Sequence, residues 1–221
     1  VRWQAARAAK KSARDRRAAA CFRDGRLLIP EDVEGRSAVV DALLGALAKP
    51  ERRTAQPGLH ALLAEERRRL ARRRELAAID LDARTRDLGR TLYPYQRDGV
   101  AAFLETGRLL LGDDMGLGKT TQAVAAAHVL HREGKVTRGL VITPASLKAQ
   151  WLREWQATSD VPVLLVDGGL DHRGAIYARI QSGFLVLNYE VLLRDFEKIA
   201  ALAPDMVVLD EAQRIKNWAT K

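Results

Sequence analysis

From about residue 90 onward, short runs of apolar and branched residues alternate with longer stretches whose apolar positions recur every three or four residues. The first pattern suits strands buried on both faces and the second suits helices covering a sheet, so their alternation predicts βαβ units around a parallel sheet. Strands are expected at 109–112, 139–143, 163–166, 184–187 and 206–209, and helices at 94–106, 119–132, 146–157, 171–181 and 190–201. Upstream the pattern differs. Leu59, Leu62, Leu63, Leu70 and Ala77 form an apolar stripe at helical spacing behind the breaker Gln56-Pro57-Gly58. Residues 38–48, AVVDALLGALA, predict another helix ended by Lys49-Pro50, and Leu27 to Ile29 predict a short extended piece. No internal repeat is evident. The organisation read from these patterns is a mainly helical segment over 1–88 followed by an α/β domain over 89–221.

A parallel sheet gathers the loops after its strands along one edge, which singles out four segments. The first sits in LLLGDDMGLGKTT, Leu109 to Thr121. An apolar run feeding a glycine-rich loop that ends Gly-Lys-Thr is a phosphate cradle: backbone N–H groups face the phosphates, Lys119 reaches the outer ones, and the Thr120 hydroxyl holds Mg²⁺. Gly116 and Gly118 permit close backbone approach, and the helix starting at Lys119 adds the positive end of its dipole. The general G-x-x-x-x-G-K-[ST] pattern would have glycine where Asp113 stands. The last of the four segments follows Met206-Val207-Val208-Leu209 and opens with Asp210-Glu211. A nucleotide site needs one carboxylate at a strand end for Mg²⁺ and a second to polarise the attacking water. Asp210 suits the first role and Glu211 the second. Two acids after a strand also fit a solvated turn; with a phosphate loop upstream, they point to an NTPase. Thr143-Pro144-Ala145-Ser146 and Asn188-Tyr189-Glu190 are the two remaining loops of that edge.

The 221 residues are 47% apolar and 29% charged, enough to bury a sizeable core. No run approaches the roughly 18 apolar residues of a membrane-spanning helix. VRWQAARAAKK has neither a starting Met nor an apolar signal core, so a soluble, cytoplasmic protein is expected, nucleoid-associated if bacterial. The single Cys21 leaves no internal disulfide and argues against a cysteine zinc site; His60, His128, His131 and His172 show no ligand spacing. The net charge of +9 is unevenly placed: residues 1–90 hold 22 Lys and Arg against 13 Asp and Glu, whereas residues 91–221 hold 15 against 15. Clusters at Arg7 to Arg17 and in EERRRLARRRE, Glu65 to Glu75, suit a polyanion bound by counterion release. They equally suit the solvated face of an Arg-rich helix.

Taken in order, the four loops resemble those of the helicase-like ATPases of superfamily two, and specifically the Swi/Snf family of double-stranded DNA translocases. Asp113-Asp114-Met115-Gly116-Leu117-Gly118-Lys119-Thr120 is similar to that family's phosphate loop, which typically carries Asp at the position of the missing glycine. Leu92-Tyr93-Pro94-Tyr95-Gln96 with Gly99-Val100 resembles its adenine-reading segment. Val141-Ile142-Thr143-Pro144 with Leu147, Gln150-Trp151 and Glu154-Trp155 resembles its first nucleic-acid-contacting motif, and Val186-Leu187-Asn188-Tyr189-Glu190 the next. Asp210-Glu211-Ala212-Gln213, followed by Arg214-Ile215-Lys216-Asn217, resembles its acidic box and tail, with Gln213 where many relatives carry His.

The resemblance, which covers residues 91–221, implies a RecA-like lobe that binds ATP and Mg²⁺ and works on double-stranded DNA. It places Gln96, Asp114, Met115, Gly116, Leu117, Gly118, Lys119, Thr120 and Thr121 on the nucleotide, and Thr120 and Asp210 on Mg²⁺. Lys119, Asp210 and Glu211 become the catalytic set. Thr143, Pro144, Ser146, Lys148, Asn188 and Tyr189 become nucleic-acid contacts, to phosphates rather than base edges. Trp151 and Trp155, at i and i+4, are read as core packing rather than base stacking. The second RecA-like lobe and its arginine finger are expected outside this chain. Such a finger contributes about 10³ to 10⁵ in rate in related NTPases, so this piece is expected to bind ATP better than it turns it over. An RNA helicase or restriction-type translocase would share the phosphate loop and acidic box. A non-catalytic scaffold would use the basic segment and a nucleotide-locked lobe only for binding.

Overall fold

The computed structural model describes residues 13–24, 26–48, 57–112 and 116–215. The chain divides into two compact units, Val1–Ala78 and Ile79–Lys221.

In the first unit, helix α1 (Ala13–Ala20) leads into a tight antiparallel hairpin of β1 (Phe22–Arg23) and β2 (Arg26–Leu27), then α2 (Val33–Ala46) and α3 (Pro57–Ala77). Ala18, Leu43 and Ala46 form its core, with Phe22, Val39 and Leu63 packed against them. Helix α2 starts five residues earlier than its apolar pattern suggests, because Asp32 caps it: the carboxylate accepts the Gly35 N–H at 2.6 Å. The expected extended piece is shorter, Leu28 donating its N–H to the Cys21 carbonyl just beyond β2. Helix α3 buries Leu70 and Leu76 and leaves Arg67, Arg68, Arg69, Arg72 and Arg74 exposed. Two of these arginines are paired, Arg74 with Glu34 at 2.5 Å and Arg69 with Glu66 at 3.6 Å. Lys49-Pro50, Gln56 and the basic residues Arg7, Lys10 and Lys11 lie outside the described residues.

The second unit is α/β. Helices α4 (Leu81–Arg84), α5 (Pro94–Thr106) and α6 (Lys119–Arg132) precede β3 (Arg138–Thr143). A 3₁₀ turn at Ala145–Leu147 runs into α7 (Lys148–Thr158); β4 (Val163–Leu165), α8 (Leu170–Arg179), β5 (Gly183–Asn188), α9 (Tyr189–Arg194), α10 (Phe196–Ala201) and β6 (Met206–Leu209) follow. The four strands β3 to β6 form one sheet in the order β4-β5-β3-β6, every pairing parallel, which is the framework of a RecA-like lobe. Central strand β3 is buried from Gly139 to Thr143, and β5 from Gly183 to Leu187. The core on one side of the sheet gathers Leu140, Ile142, Leu185 and Leu187 with Tyr177 of α8 and Ile199 of α10. Trp155 of α7 is fully buried against the Phe184 ring, with centroids 4.6 Å apart.

Two expectations fail here. Residues 109–112 carry the apolar run of a strand but have no regular structure; Leu110 is 85% exposed, and β6 has no partner on its outer side among the described residues. An apolar run becomes a strand only where a neighbour satisfies its backbone N–H and C=O groups. The single helix expected at 190–201 is broken at Asp195, whose side chain turns inward. It accepts from Arg173 Nε at 2.6 Å, from a second Arg173 nitrogen at 2.9 Å, and from the Tyr177 hydroxyl at 2.8 Å. Arg173 also donates to the Gly168 carbonyl at 2.7 Å. The Arg173 guanidinium holds the Asp195 carboxyl down to about 2, while burial pushes the Tyr177 phenol well up. This bidentate pair ties α8 to the α9–α10 corner from inside the protein.

A second buried polar group lies between α6 and the end of α7. His128 is fully buried, its Nδ1 is 2.9 Å from Ser159 Oγ, and its Nε2 has no partner among the described residues. A protonated ring would strand a charged N–H there, so burial lowers the pKa from 6.5.

Two stability predictions result. Asp195→Asn strands the Arg173 charge and should cost about 3 kcal/mol in urea unfolding, as is general for halving a buried pair; a loss under about 1 kcal/mol would contradict the clamp. For His128 the unfolded ring takes a proton more readily than the folded one. Its stabilising contribution is therefore complete above pH 6.5 and declines as pH falls from there toward the depressed folded pKa. His128→Gln should flatten that part of the stability profile between about pH 7 and about pH 5, and an unchanged slope would refute the assignment.

Candidate nucleotide site

The glycine loop ahead of α6 and the segment before α5 are locked together. Pro94 opens α5, which places Gln96 in the first turn, where its Oε1 accepts the Tyr93 N–H at 3.0 Å. The other end of the same amide donates to the Leu117 carbonyl at 3.3 Å, and the Tyr95 hydroxyl donates to that carbonyl at 3.1 Å. Gln96 is only 4% exposed, so the loop covers it. Exposed Tyr93 and Tyr95 stack beside the loop, 5.9 Å apart and nearly coplanar. Helix α5 can lie this close to α6 because residue 99 is glycine: a Cβ there would sit 2.0 Å from Gln122 Oε1.

Gly118 is required twice over. Its φ of +72° is left-handed, and a Cβ on it would stand 2.4 Å from Gln96 Nε2. It is also the N-cap of α6, and no side chain caps that helix. An uncapped helix start of this kind turns the positive end of its dipole toward an anion, and Lys119 and Thr120 are half-buried in that turn. Gly116 is exposed with a φ of +90°, Leu117 is 41% exposed, and Thr121 is buried. Asp114 and Met115 lie outside the described residues, as do Lys216 and Asn217 of the expected tail.

At the opposite part of the site the sheet sets Asp210. Strand β6 pairs with β3 from Met206 opposite Gly139 to Leu209 opposite Ile142, and the Asp210 N–H extends the ladder to the Ile142 carbonyl at 2.8 Å. That places Asp210 beside Thr143, which itself pairs with Asn188 of β5. Asp210 Oδ2 accepts the Thr143 hydroxyl at 2.9 Å and the Trp151 indole N–H at 2.7 Å, and the Asp210 carbonyl accepts the Tyr189 hydroxyl at 2.7 Å. Glu211 follows with φ +52°, one of three non-glycine residues in the left-handed region among those described. Its exposed carboxylate accepts the Gln213 side-chain amide, the two lying on the turn into the 3₁₀ segment Ala212–Ile215.

Several residues expected to touch nucleic acid are engaged otherwise. Thr143 is fully buried with its hydroxyl on Asp210, and Pro144 is buried beside it. The Thr143 hydroxyl thus serves the Asp210 carboxylate in this structure. The Tyr189 hydroxyl is likewise given to the Asp210 carbonyl. Lys148 Nζ donates to the Val166 carbonyl at 2.9 Å, and Asn188 Nδ2 to Glu190 at 2.5 Å. Ser146 is exposed, and the Asn188 Oδ1 is buried without a partner among the described residues. Trp151 and Trp155 are both core residues, as their spacing suggested. The indole of Trp151 also has a polar task that spacing did not reveal, because its acceptor is 59 positions away. A buried indole N–H needs an acceptor, which is the signal that could have prompted the search.

An uncapped helix start behind a glycine loop suits phosphates, and a hydroxyl with a strand-end carboxylate suits Mg²⁺, so this donor set fits a magnesium-nucleotide complex. With the parallel sheet, these features define a RecA-like ATPase lobe as the class. The chain belongs to the SNF2-related domain family, whose profile matches residues 46–221. It is 31% identical over 152 residues to the DNA repair and recombination protein RAD54B of Gallus gallus, covering 61% of this chain and 16% of that protein. It is 35% identical over 149 residues to the DNA excision repair protein ERCC-6-like of Bos taurus, covering 61% of this chain and 12% of that one. The Sulfolobus solfataricus SWI2/SNF2 ATPase core in complex with dsDNA superposes with a TM-score of 0.54 at 30% identity, covering 62% of this chain and 29% of that chain. The present chain thus spans a small part of each relative.

Gly118→Ala forces both a left-handed alanine and displacement of Gln96, so it should lower stability by about 1–2 kcal/mol in urea unfolding. An unchanged midpoint would contradict the packing described here.

Proposed function

We propose that this chain is the ATP-binding lobe of a double-stranded DNA translocase or remodeller, in which ATP hydrolysis is coupled to movement along DNA. The observation that carries the proposal is the alignment of Asp210 with Thr143 and Asn188 at one sheet edge, in a chain with a glycine loop and uncapped helix of the phosphate-binding kind. Lys119 and the loop amides at Gly116 to Gly118 hold the phosphates, Thr120 and Asp210 hold Mg²⁺, and Gln96 faces the base. Glu211 takes the proton of the attacking water; its left-handed backbone is the kind of stored strain that functional turns retain. Bound Mg²⁺ supplies charge neutralisation on the phosphate oxygens.

Duplex DNA as partner is supported by the Sulfolobus neighbour, an ATPase core in complex with dsDNA. Exposed Ser146, with Asn188 and Lys148 once released from their present acceptors, would meet backbone phosphates, giving binding without sequence preference. The second lobe of such motors brings the arginine that stabilises charge on the transferring phosphoryl group. This chain alone therefore binds ATP with little turnover, and the parent protein works in the cytoplasm, nucleoid-associated if bacterial.

Turnover by the longer parent protein, with and without duplex DNA, tests the proposal. Lys119→Ala should abolish magnesium-ATP binding, whereas Glu211→Gln should keep binding and lose at least about 100-fold in turnover, the scale of a lost general base. Stimulation by RNA in place of duplex DNA would favour an RNA helicase, and biological activity that survives Lys119→Ala would favour a scaffold.

A further inference from the structure

The nucleotide site contains an indole that the site chemistry above leaves unused. Asp210 is held at every polar group but one. Its N–H lies on the Ile142 carbonyl at 2.8 Å, its carbonyl takes the Tyr189 hydroxyl at 2.7 Å, and its Oδ2 takes two donors, Thr143 and Trp151. Oδ1 accepts no hydrogen bond among the described residues. The carboxylate is therefore divided: one oxygen is saturated from the protein side and the other is left over.

The two donors to Oδ2 are not equivalent. A threonine hydroxyl can rotate, donate elsewhere or accept. An indole N–H can only donate, does not ionise, and sits on a rigid ring with two rotatable bonds. Trp151 is 5% exposed on α7, so its ring is fixed by packing and its N–H points where the helix aims it, 2.7 Å from the oxygen. Neutral donors on one oxygen orient the carboxylate without neutralising its charge, as a cation partner would.

Building on the nucleotide reading, we propose that Trp151 is a positioning residue for the magnesium-binding carboxylate: its indole N–H locks Oδ2 of Asp210 and so presents Oδ1 to the cation. Thr143 assists, and Tyr189 fixes the peptide that leads into Glu211. The arrangement resembles the outer partners of metal sites generally, which orient a ligand without touching the metal.

Calorimetric titration of the 221-residue chain with ATP, once with Mg²⁺ and once with EDTA, reads this directly. Trp151→Phe keeps the ring packing and removes the donor. It should weaken the magnesium-dependent gain in affinity about 10-fold, the worth of one charge-assisted hydrogen bond, and leave metal-free ATP binding unchanged. Thr143→Val should act in the same direction, and it carries the test should Trp151→Phe fail to fold. Trp155→Phe is the control: it deletes an indole donor from the Val161 carbonyl, so it should lower the melting temperature and leave the magnesium-dependent gain intact. A folded Trp151→Phe with the wild-type magnesium gain overturns the inference. So does an equal loss with and without Mg²⁺, which would make the indole a packing residue only. If the wild-type chain takes up no ATP in either condition, the nucleotide reading fails first and this inference falls with it.

Discussion

The parallel register of β3 against both β5 and β6 is the constraint on which the site depends. Thr143 pairs with Asn188 and Ile142 with Leu209, so three strands end within one residue of each other. Asp210, the first residue beyond β6, is thereby delivered to Thr143 and brought within hydrogen-bonding reach of Trp151 and Tyr189, although these residues are distant along the chain. Side chains alternate faces along a strand, so a slip of one residue would turn Asp210 to the other side of the sheet. Such a slip of β6 would also move buried Met206 from its place opposite Gly139. Site geometry and core packing are set by the same alignment.

Where polar groups are buried, the fold holds them in fixed arrangements with few alternatives. The Arg173–Asp195–Tyr177 cluster satisfies its charges with bidentate geometry and stops a helix at Asp195. The same logic acts at Asp210, where neutral donors replace a guanidinium and leave the charge free for a cation. One carboxylate serves architecture and the other, in the proposed function, chemistry, and the partner type distinguishes them. An arginine neutralises its aspartate, whereas an indole and a hydroxyl orient theirs.

Much of this was legible in the chain. The buried strands were found because branched, apolar runs such as Leu140-Val141-Ile142 and Leu185-Val186-Leu187 have few other uses between helical patterns. The glycine loop ahead of α6 and Asp210-Glu211 beyond β6 stand where the chain's pattern put them, because glycines before a helical run and acids after an apolar one mark the ends of elements. Other features depended on long-range partners and were not. Leu109-Leu110-Leu111 reads as a strand, yet strand formation depends on a neighbour that composition cannot supply. The break at Asp195 depends on Arg173, 22 residues earlier. The hydroxyl of Thr143 faces Asp210 because of the strand register, which the chain's pattern does not show.

The central claim is that the phosphate loop and the Asp210 corner serve one magnesium-nucleotide complex. A crystal structure of the chain with a non-hydrolysable ATP analogue and Mg²⁺ measures it most directly. The account predicts Lys119 Nζ on the outer phosphates and Asp210 Oδ1 on the magnesium shell of that same nucleotide, with the Trp151 contact to Oδ2 retained. A nucleotide bound elsewhere, or at the loop with Asp210 directed away from its metal, would contradict the account.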